Sequence, residues 1–361
     1  MNVFGSRFGT AGHFALGVSK GSRDVSRTLA ITLTVAGIAA ACAHAGTIAS
    51  PADRYIPIGT AVSEPDLEGS ALYRATLDAN FTSVTPENEM KWETTEPQPG
   101  VFNFGPADAI VDYALAHGMS VRGHTLVWYS QLPGWLTGRR WSKRQLKAIL
   151  KRHIETEVAH FRGRVDEWDV VNEPFNDDGT LRANIWLRTI GPAYIPLALR
   201  WAHDADPNAR LFINDYNIDW PGPKERAMLR LIGRLQRDGV PIGGIGMEEH
   251  LSLSWSPTQQ QLAEAMGAFA DRGLQVQVTE ADVDTTGFPG GAAAVASAQA
   301  AVFSKLAAAC RAQPACARFT VWGVSDAVSW LGCTAAGLPF DAQYEPKPAW
   351  AAIQVGLANP Q

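Results

Sequence analysis

From Pro57 onward, short apolar runs alternate with longer stretches whose apolar residues recur at helical spacing. The short runs are Pro57–Val62, Ser83–Thr85, Ser120–Val127, Glu167–Asn172, Arg210–Asn214, Gly244–His250, Gln275–Glu280 and Arg318–Val324. Each reads as a β-strand, and Lys143–Phe161 and Lys224–Asp238 are the clearest helices between them. Strands alternating with helices imply a parallel sheet. At this chain length, closure into a single α/β domain, a (β/α)8 TIM barrel, is favoured over an open doubly wound sheet. Nearly every run ends in polar side chains: Glu87-Asn88, His124, Asn172-Glu173, Asn214-Asp215, His250 and Glu280. A closed barrel gathers such ends on one face, where a site is built. No glycine-rich phosphate fingerprint opens a helix, so nucleotide binding has no support.

The N-terminal segment breaks this pattern. Arg23 and Arg27 precede the apolar run Leu29–Ala43, and Ala43-His44-Ala45 follows with small residues at the cleavage spacing. The expectation is a signal peptide over residues 1–45, a single domain over residues 46–361, and a secreted product, extracellular or periplasmic. A retained membrane anchor is the alternative. A lipoprotein site at Cys42 is disfavoured, since Ala39 stands where a larger aliphatic residue is usual.

Composition narrows the partners. The net charge is −5 and no basic run exceeds pairs such as Lys143-Arg144, so no nucleic-acid partner is expected. No membrane partner is expected for the mature form, which is expected to be monomeric. Of the four cysteines, Cys310 and Cys316 would close a small loop in an oxidising compartment, leaving Cys333 as a buried free thiol. No Cys/His spacing suggests a metal, and no metal or cofactor is expected.

Two glutamates carry the chemistry. Glu173 closes Trp168–Val171, and Glu280 closes the run Gln275–Thr279, so each carboxyl emerges where a buried strand meets a loop. Two carboxyls facing across a cleft are the minimal apparatus for cleaving a glycosidic bond. Burial would raise the pKa of Glu173, as a general acid requires. Glu280 must instead stay ionised, and a relay of His250 and Asp282 would favour that. Alone, Glu173 is as well a helix-start residue before Pro174, and His250 a core histidine. Glu87-Asn88-Glu89-Met90-Lys91-Trp92 and Gly123-His124-Thr125-Leu126-Val127-Trp128 combine hydrogen-bonding groups with indoles, as do Trp322 and Trp330. Sugars need both. Any one tryptophan is more often core than platform, but twelve in one chain, several at strand ends, tilt the balance toward carbohydrate.

These segments resemble glycoside hydrolase family 10. The resemblance rests on Glu87-Asn88-x-Met90-Lys91-Trp92, Arg122–Trp128, Trp168–Pro174, Thr279-Glu280-x-Asp282, Trp322-Gly323-Val324-x-Asp326-x-x-Ser329-Trp330 and Pro346-Lys347-Pro348, and it spans nearly all of Pro57 to Trp350. It implies a (β/α)8 endo-β-1,4-xylanase that hydrolyses internal bonds of xylan and xylo-oligosaccharides with retention. Glu173 would be the acid/base and Glu280 the nucleophile, with the carboxyls ~5–5.5 Å apart. Glu87, Asn88, Lys91, His124, Trp128, Gln131, Asn172, Tyr216, His250, Trp322 and Trp330 would line the sugar subsites. Some members also carry a disulfide where Cys310 and Cys316 fall. Three positions depart from the family: Tyr129 in place of His, Glu248-Glu249 in place of Gln-Ser, and Ala281 in place of Leu. Glu248 is expected to oppose the ionisation of Glu280, and so to shift the pH profile or the subsite preference. The competing readings are a retaining barrel glycosidase acting on β-glucan or mannan, and a non-hydrolytic carbohydrate-binding protein.

Overall fold

The computed structural model describes residues 55–358, and the expected leader over residues 1–45 lies outside them. The strands are β1 (Ile58–Val62), β2 (Ser83–Pro86), β3 (Ser120–His124), β4 (Glu167–Asn172), β5 (Arg210–Asp215), β6 (Gly244–Met247), β7 (His250–Ser252), β8 (Gln275–Asp284) and β9 (Cys316–Val321). All pair in parallel, in the order β1 to β6, then β8 and β9, and β9 returns to β1. The result is a closed eight-stranded barrel, with β7 a short addition beside the end of β8. The longer helices are α1 (Ala71–Asn80), α2 (Gly105–Ala116), α3 (Lys143–His160), α4 (Tyr194–Ala205), α5 (Pro223–Arg237), α6 (Gln259–Ala270), α7 (Ala292–Ala312) and α8 (Pro348–Leu357). They alternate with the barrel strands, as a (β/α)8 fold requires.

Local chemistry sets the helix starts. Ser142 accepts from the Gln145 backbone while the Gln145 side chain accepts from the Ser142 backbone, a capping box that starts α3. Thr258 and Gln261 do the same for α6. Helix α7 is long and apolar enough to cross a membrane by length and composition, yet it packs against α8, β8 and β9 as a wall of the barrel.

Four expected strands change bounds by more than one residue. Ser120–Val127 stops at His124, beyond which the chain turns through a cis peptide to Thr125. Gly244–His250 divides into β6 and β7 because Glu249 takes a left-handed φ of 62° that no regular strand accommodates. Gln275–Glu280 extends to Asp284, since β7 supplies a partner for its second half. The last strand begins at Cys316 and ends at Val321, short of Gly323 at φ 141°. Cys310 and Cys316 form a disulfide between the end of α7 and the start of β9. Cys333, expected to be buried, is exposed, because it sits in a surface loop after β9 rather than in a core element.

The barrel interior is polar where an apolar plug is usual. Arg122 is fully buried and forks onto both oxygens of Asp169, while its Nη1 donates to Gln277 Oε1 at 2.8 Å. Gln277 donates in turn to Glu167, which also faces Arg318 Nη2 at 3.4 Å. The guanidinium lies over the Phe212 ring, 4.4 Å from its centroid. Each buried charge therefore has a partner, the condition under which burial is tolerated. Strand register brings this layer directly beneath the site: Arg122 pairs with Glu167 and His124 with Asp169.

Candidate active site

A cavity of about 710 Å³ opens at the C-terminal ends of the strands. Its lining includes all thirteen residues that the sequence assigned to catalysis and sugar binding, from strands β3, β4, β7 and β8 and from the segments after β2, β3, β4, β5 and β9. Asp282 stands behind it, in contact with His250 and Trp330. Ser130, Tyr129 and Glu248 complete the lining.

Glu173 follows β4 in a left-handed conformation, with φ 50°. Its Oε2 accepts from the Tyr129 hydroxyl at 3.0 Å and lies 3.7 Å from Arg182 Nη2. Its Oε1 accepts from Asn172 Nδ2 at 3.3 Å. Burial and the Glu280 charge push its pKa up, against the pull of Tyr129, Arg182 and Lys224. The carboxyl is thus set to hold a proton.

Glu280 has the opposite tendency. Burial works against its charge, yet His124 and His250 outweigh it and hold its pKa below the ordinary carboxyl value. His250 Nε2 lies 3.3 Å from Glu280 Oε2 and its Nδ1 lies 3.0 Å from Asp282 Oδ2. Carboxylates only accept, so both ring nitrogens carry hydrogen. Burial disfavours that cation, but Asp282 and Glu280 raise its pKa to about 10. Trp330 Nε1 donates to the same Asp282 oxygen at 2.7 Å and fixes the carboxylate's orientation. His124, with Nδ1 3.0 Å from Asp169 Oδ2, stands 3.8 Å from Glu280 Oε1.

The link between the two glutamates is Asn214, on β5, which the sequence placed at a strand end but did not assign to the site. Its Nδ2, with two hydrogens to share among them, lies 2.7 Å from Glu280 Oε1, 2.9 Å from Asn172 Oδ1 and 3.1 Å from Glu248 Oε1, while its Oδ1 accepts from Thr279 at 2.7 Å. This position is possible because Gly246 is its cross-strand partner. A Cβ on Gly246 would lie 2.0 Å from Asn214 Oδ1. A glycine opposite an asparagine at paired strand ends was the available signal.

The repulsion expected between Glu248 and Glu280 falls on Glu248. Burial and the charges of Glu280, Glu173 and Asp215 raise its own pKa well above the carboxyl range, so it is Glu248 that stays neutral and Glu280 that ionises. A protonated carboxyl has the charge and nearly the shape of the amide it replaces. Glu249 turns away toward Asp219, and among the described residues no other group donates to its carboxyl oxygens. Burial and Asp219 push Glu249 well up, while burial raises Asp219 to about 6, so the two share a proton rather than two charges. Ala281 is fully buried in β8, its carbonyl accepting from Trp322 N at 3.1 Å.

Other groups of the lining form a second network. Asn88 Oδ1 accepts from Lys91 Nζ at 3.1 Å and from Gln131 Nε2 at 3.0 Å, and Lys91 lies 5.0 Å over the Trp128 ring. Trp128 Nε1 is buried without a partner among the described residues. Tyr216 accepts from Arg182 at 2.7 Å and lies under Lys224, whose Nζ is 2.8 Å from Asp215 Oδ1. Burial raises Asp215 to about 7 despite that ammonium. Among the described residues, Glu248, His250 and Glu280 bring metal-ligating atoms within 4.8 Å of one another. A His250 ring that keeps both its protons offers no lone pair to a cation, so this group fits a proton-sharing network better than a ligand set.

Comparison with known proteins agrees with this geometry. The profile of glycosyl hydrolase family 10 matches residues 48–355. The chain is 43% identical over 298 residues to endo-1,4-beta-xylanase B of Thermotoga neapolitana, covering 81% of this chain and 84% of that one. Xylanase 10B of Thermotoga petrophila, solved with xylobiose, superposes with a TM-score of 0.81 at 39% identity, covering 84% and 94% of the two chains. A variant of an intracellular xylanase from Thermoanaerobacterium saccharolyticum, solved with xylotetraose, gives a TM-score of 0.79 at 38% identity, covering 83% and 95%. The barrel, the cleft at its C-terminal face and these likenesses together make the chain a member of glycosyl hydrolase family 10.

Proposed function

We propose that the protein is a secreted endo-β-1,4-xylanase that cleaves internal xylosidic bonds with retention of configuration. The observation that carries this is the pair of buried glutamates in one cleft with pKa values displaced in opposite directions. The similar proteins that hold xylobiose or xylotetraose support xylan as the substrate class.

A Glu280 oxygen attacks the anomeric carbon as the bond to the departing sugar breaks, and Glu173 gives its proton to that leaving oxygen. Ionised Glu173 then takes a proton from water, and the hydroxide oxygen displaces Glu280 from the same carbon. His250, held by Asp282, and His124 position and stabilise the nucleophile's charge. Glu87, Asn88, Lys91, Gln131, Asn172 and Tyr216 supply hydrogen-bonding groups to sugar hydroxyls, and Trp128, Trp322 and Trp330 supply ring faces. The unpartnered Trp128 Nε1 offers a donor to a sugar oxygen.

Export is the part of the proposal that the barrel does not specify, since one of the similar structures is an intracellular enzyme. It rests on the sequence before Gly46. Protein recovered from the culture medium should begin at Gly46, and an intact leader on membrane-bound protein would contradict export.

Purified protein should release reducing sugar from xylan well above mannan and carboxymethyl-cellulose. Glu280→Ala should abolish this, and Glu173→Ala should cost about 10²–10⁴-fold on xylan while largely sparing substrates with activated leaving groups. Folded parent protein that turns over none of the three polymers would point instead to a binding protein.

The pH profile tests Tyr129. Rate rises as Glu280 ionises, through its lowered pKa, and falls as Glu173 loses its proton, through its raised one. The Tyr129 hydroxyl donates to the ionised form of Glu173 and so pulls that pKa down. Tyr129→Phe should therefore move the alkaline limb of kcat/KM to higher pH and leave the acid limb in place. An alkaline limb that stays put or moves down would show that the hydrogen bond does not set the proton's affinity.

A further inference from the structure

A second cavity, of about 530 Å³, adjoins the cleft and shares Tyr129 with it. Its walls continue those of the site. Leu132 follows the cleft residue Gln131 on the segment after β3, and Ala183 follows Arg182 on the segment after β4. Leu132, Ile185 and Trp141 provide apolar lining, and Trp141 is fixed by Nε1 donating to the Leu136 carbonyl at 2.8 Å.

The charge here is one-sided. Arg139, Arg140 and Arg188 all line the cavity, and among the described residues no carboxylate does. Across a chain of net charge −5 this is an exception. None of the three makes an ion pair among the described residues, whereas seven other arginines do, counting Arg122, Arg152, Arg162, Arg164, Arg182, Arg210 and Arg318. Two of the three are also held in place. Arg139 lies 3.7 Å over the Trp141 ring, and Arg188 Nη1 donates to the Ala183 carbonyl at 3.0 Å. Solvated arginines are the ordinary explanation for exposed cations. It does not account for three converging on one concave, partly apolar hollow from which every acid is missing.

We propose that this hollow receives a uronic-acid branch of the polysaccharide whose main chain lies in the cleft, with the branch carboxylate on the guanidiniums and its ring against Leu132 and Ile185. This rests on the reading of the cleft as a xylan site. The guanidinium fork matches a carboxylate in bidentate geometry. Covalent attachment to a main chain already bound raises the branch's effective concentration, so a contact too weak to hold free uronate still shows as substrate preference. The enzyme then favours acid-decorated xylan over a neutral one.

The test compares kcat/KM on glucuronoxylan, on the same polymer with its carboxyls reduced to alcohols, and on linear xylo-oligosaccharides. The parent and an Arg139→Gln/Arg140→Gln/Arg188→Gln variant are measured side by side. The polymer carries branches in many frames, so the hollow is sampled wherever it lies along the cleft. The parent should favour the acidic polymer by about threefold to tenfold, a preference that shrinks at about 0.5 M salt. The variant should lose that preference and keep its rate on linear oligosaccharides. Equal rates on the two polymers by the parent, or a preference that survives in the variant, would overturn the inference while leaving the xylanase reading intact. If the parent cleaves linear oligosaccharides no faster than a blank, the xylanase reading itself fails, and this inference fails with it.

Discussion

Three glutamates buried around one cleft cannot all be ionised, because each charge raises the cost of the next in a poorly solvated space. The structure distributes that constraint rather than avoiding it. Glu280 receives the cationic ring of His250 at 3.3 Å and the proximity of His124, Glu173 receives a tyrosine hydroxyl and a more distant arginine, and Glu248 receives the Asn214 amide and, at 3.8 Å, the His250 nitrogen that lies nearer to Glu280. The order of proton affinity follows from that ranking of partners. Charge settles on Glu280 and protons settle on Glu173 and Glu248, the assignment that a retaining double displacement needs at its first step.

The layer beneath the cleft makes this ranking durable. Arg122 and Asp169 are buried together in the barrel, and Asp169 uses the same carboxylate to hold His124 beside Glu280. Removing either ion would strand the other in a dry interior, a cost of about 3–5 kcal/mol in comparable buried pairs. Asn214 joins the strands laterally, since one amide touches the strand ends of β4 and β8 and the segment after β6. The cleft side chains that set proton positions are therefore held in turn by Arg122, Asp169 and Asn214, none of which is part of the cavity lining.

The strand–helix alternation was legible because parallel barrel strands are short apolar runs bounded by polar ends, and the cleft was legible for the same reason. Those polar ends, Glu87 through Trp330, converge on one cavity once the sheet closes. What could not be read was anything that depends on which residue faces which. Glu248 looks like an added negative charge when only its neighbours in sequence are known, and becomes a neutral group once Glu280 and its imidazolium are in view. Asn214 looked like a strand-end residue until Gly246 proved to be its partner. The division of Gly244–His250 likewise turns on the left-handed backbone of Glu249, which a run of side-chain types does not disclose.

The central claim concerns where protons reside, and neutron diffraction of perdeuterated crystals at mildly acidic pH observes them directly. Deuterium is expected on a carboxyl oxygen of Glu248 and of Glu173, on both ring nitrogens of His250, and on neither oxygen of Glu280. A deuteron on Glu280, or a bare Glu248 carboxylate beside it, would contradict the account.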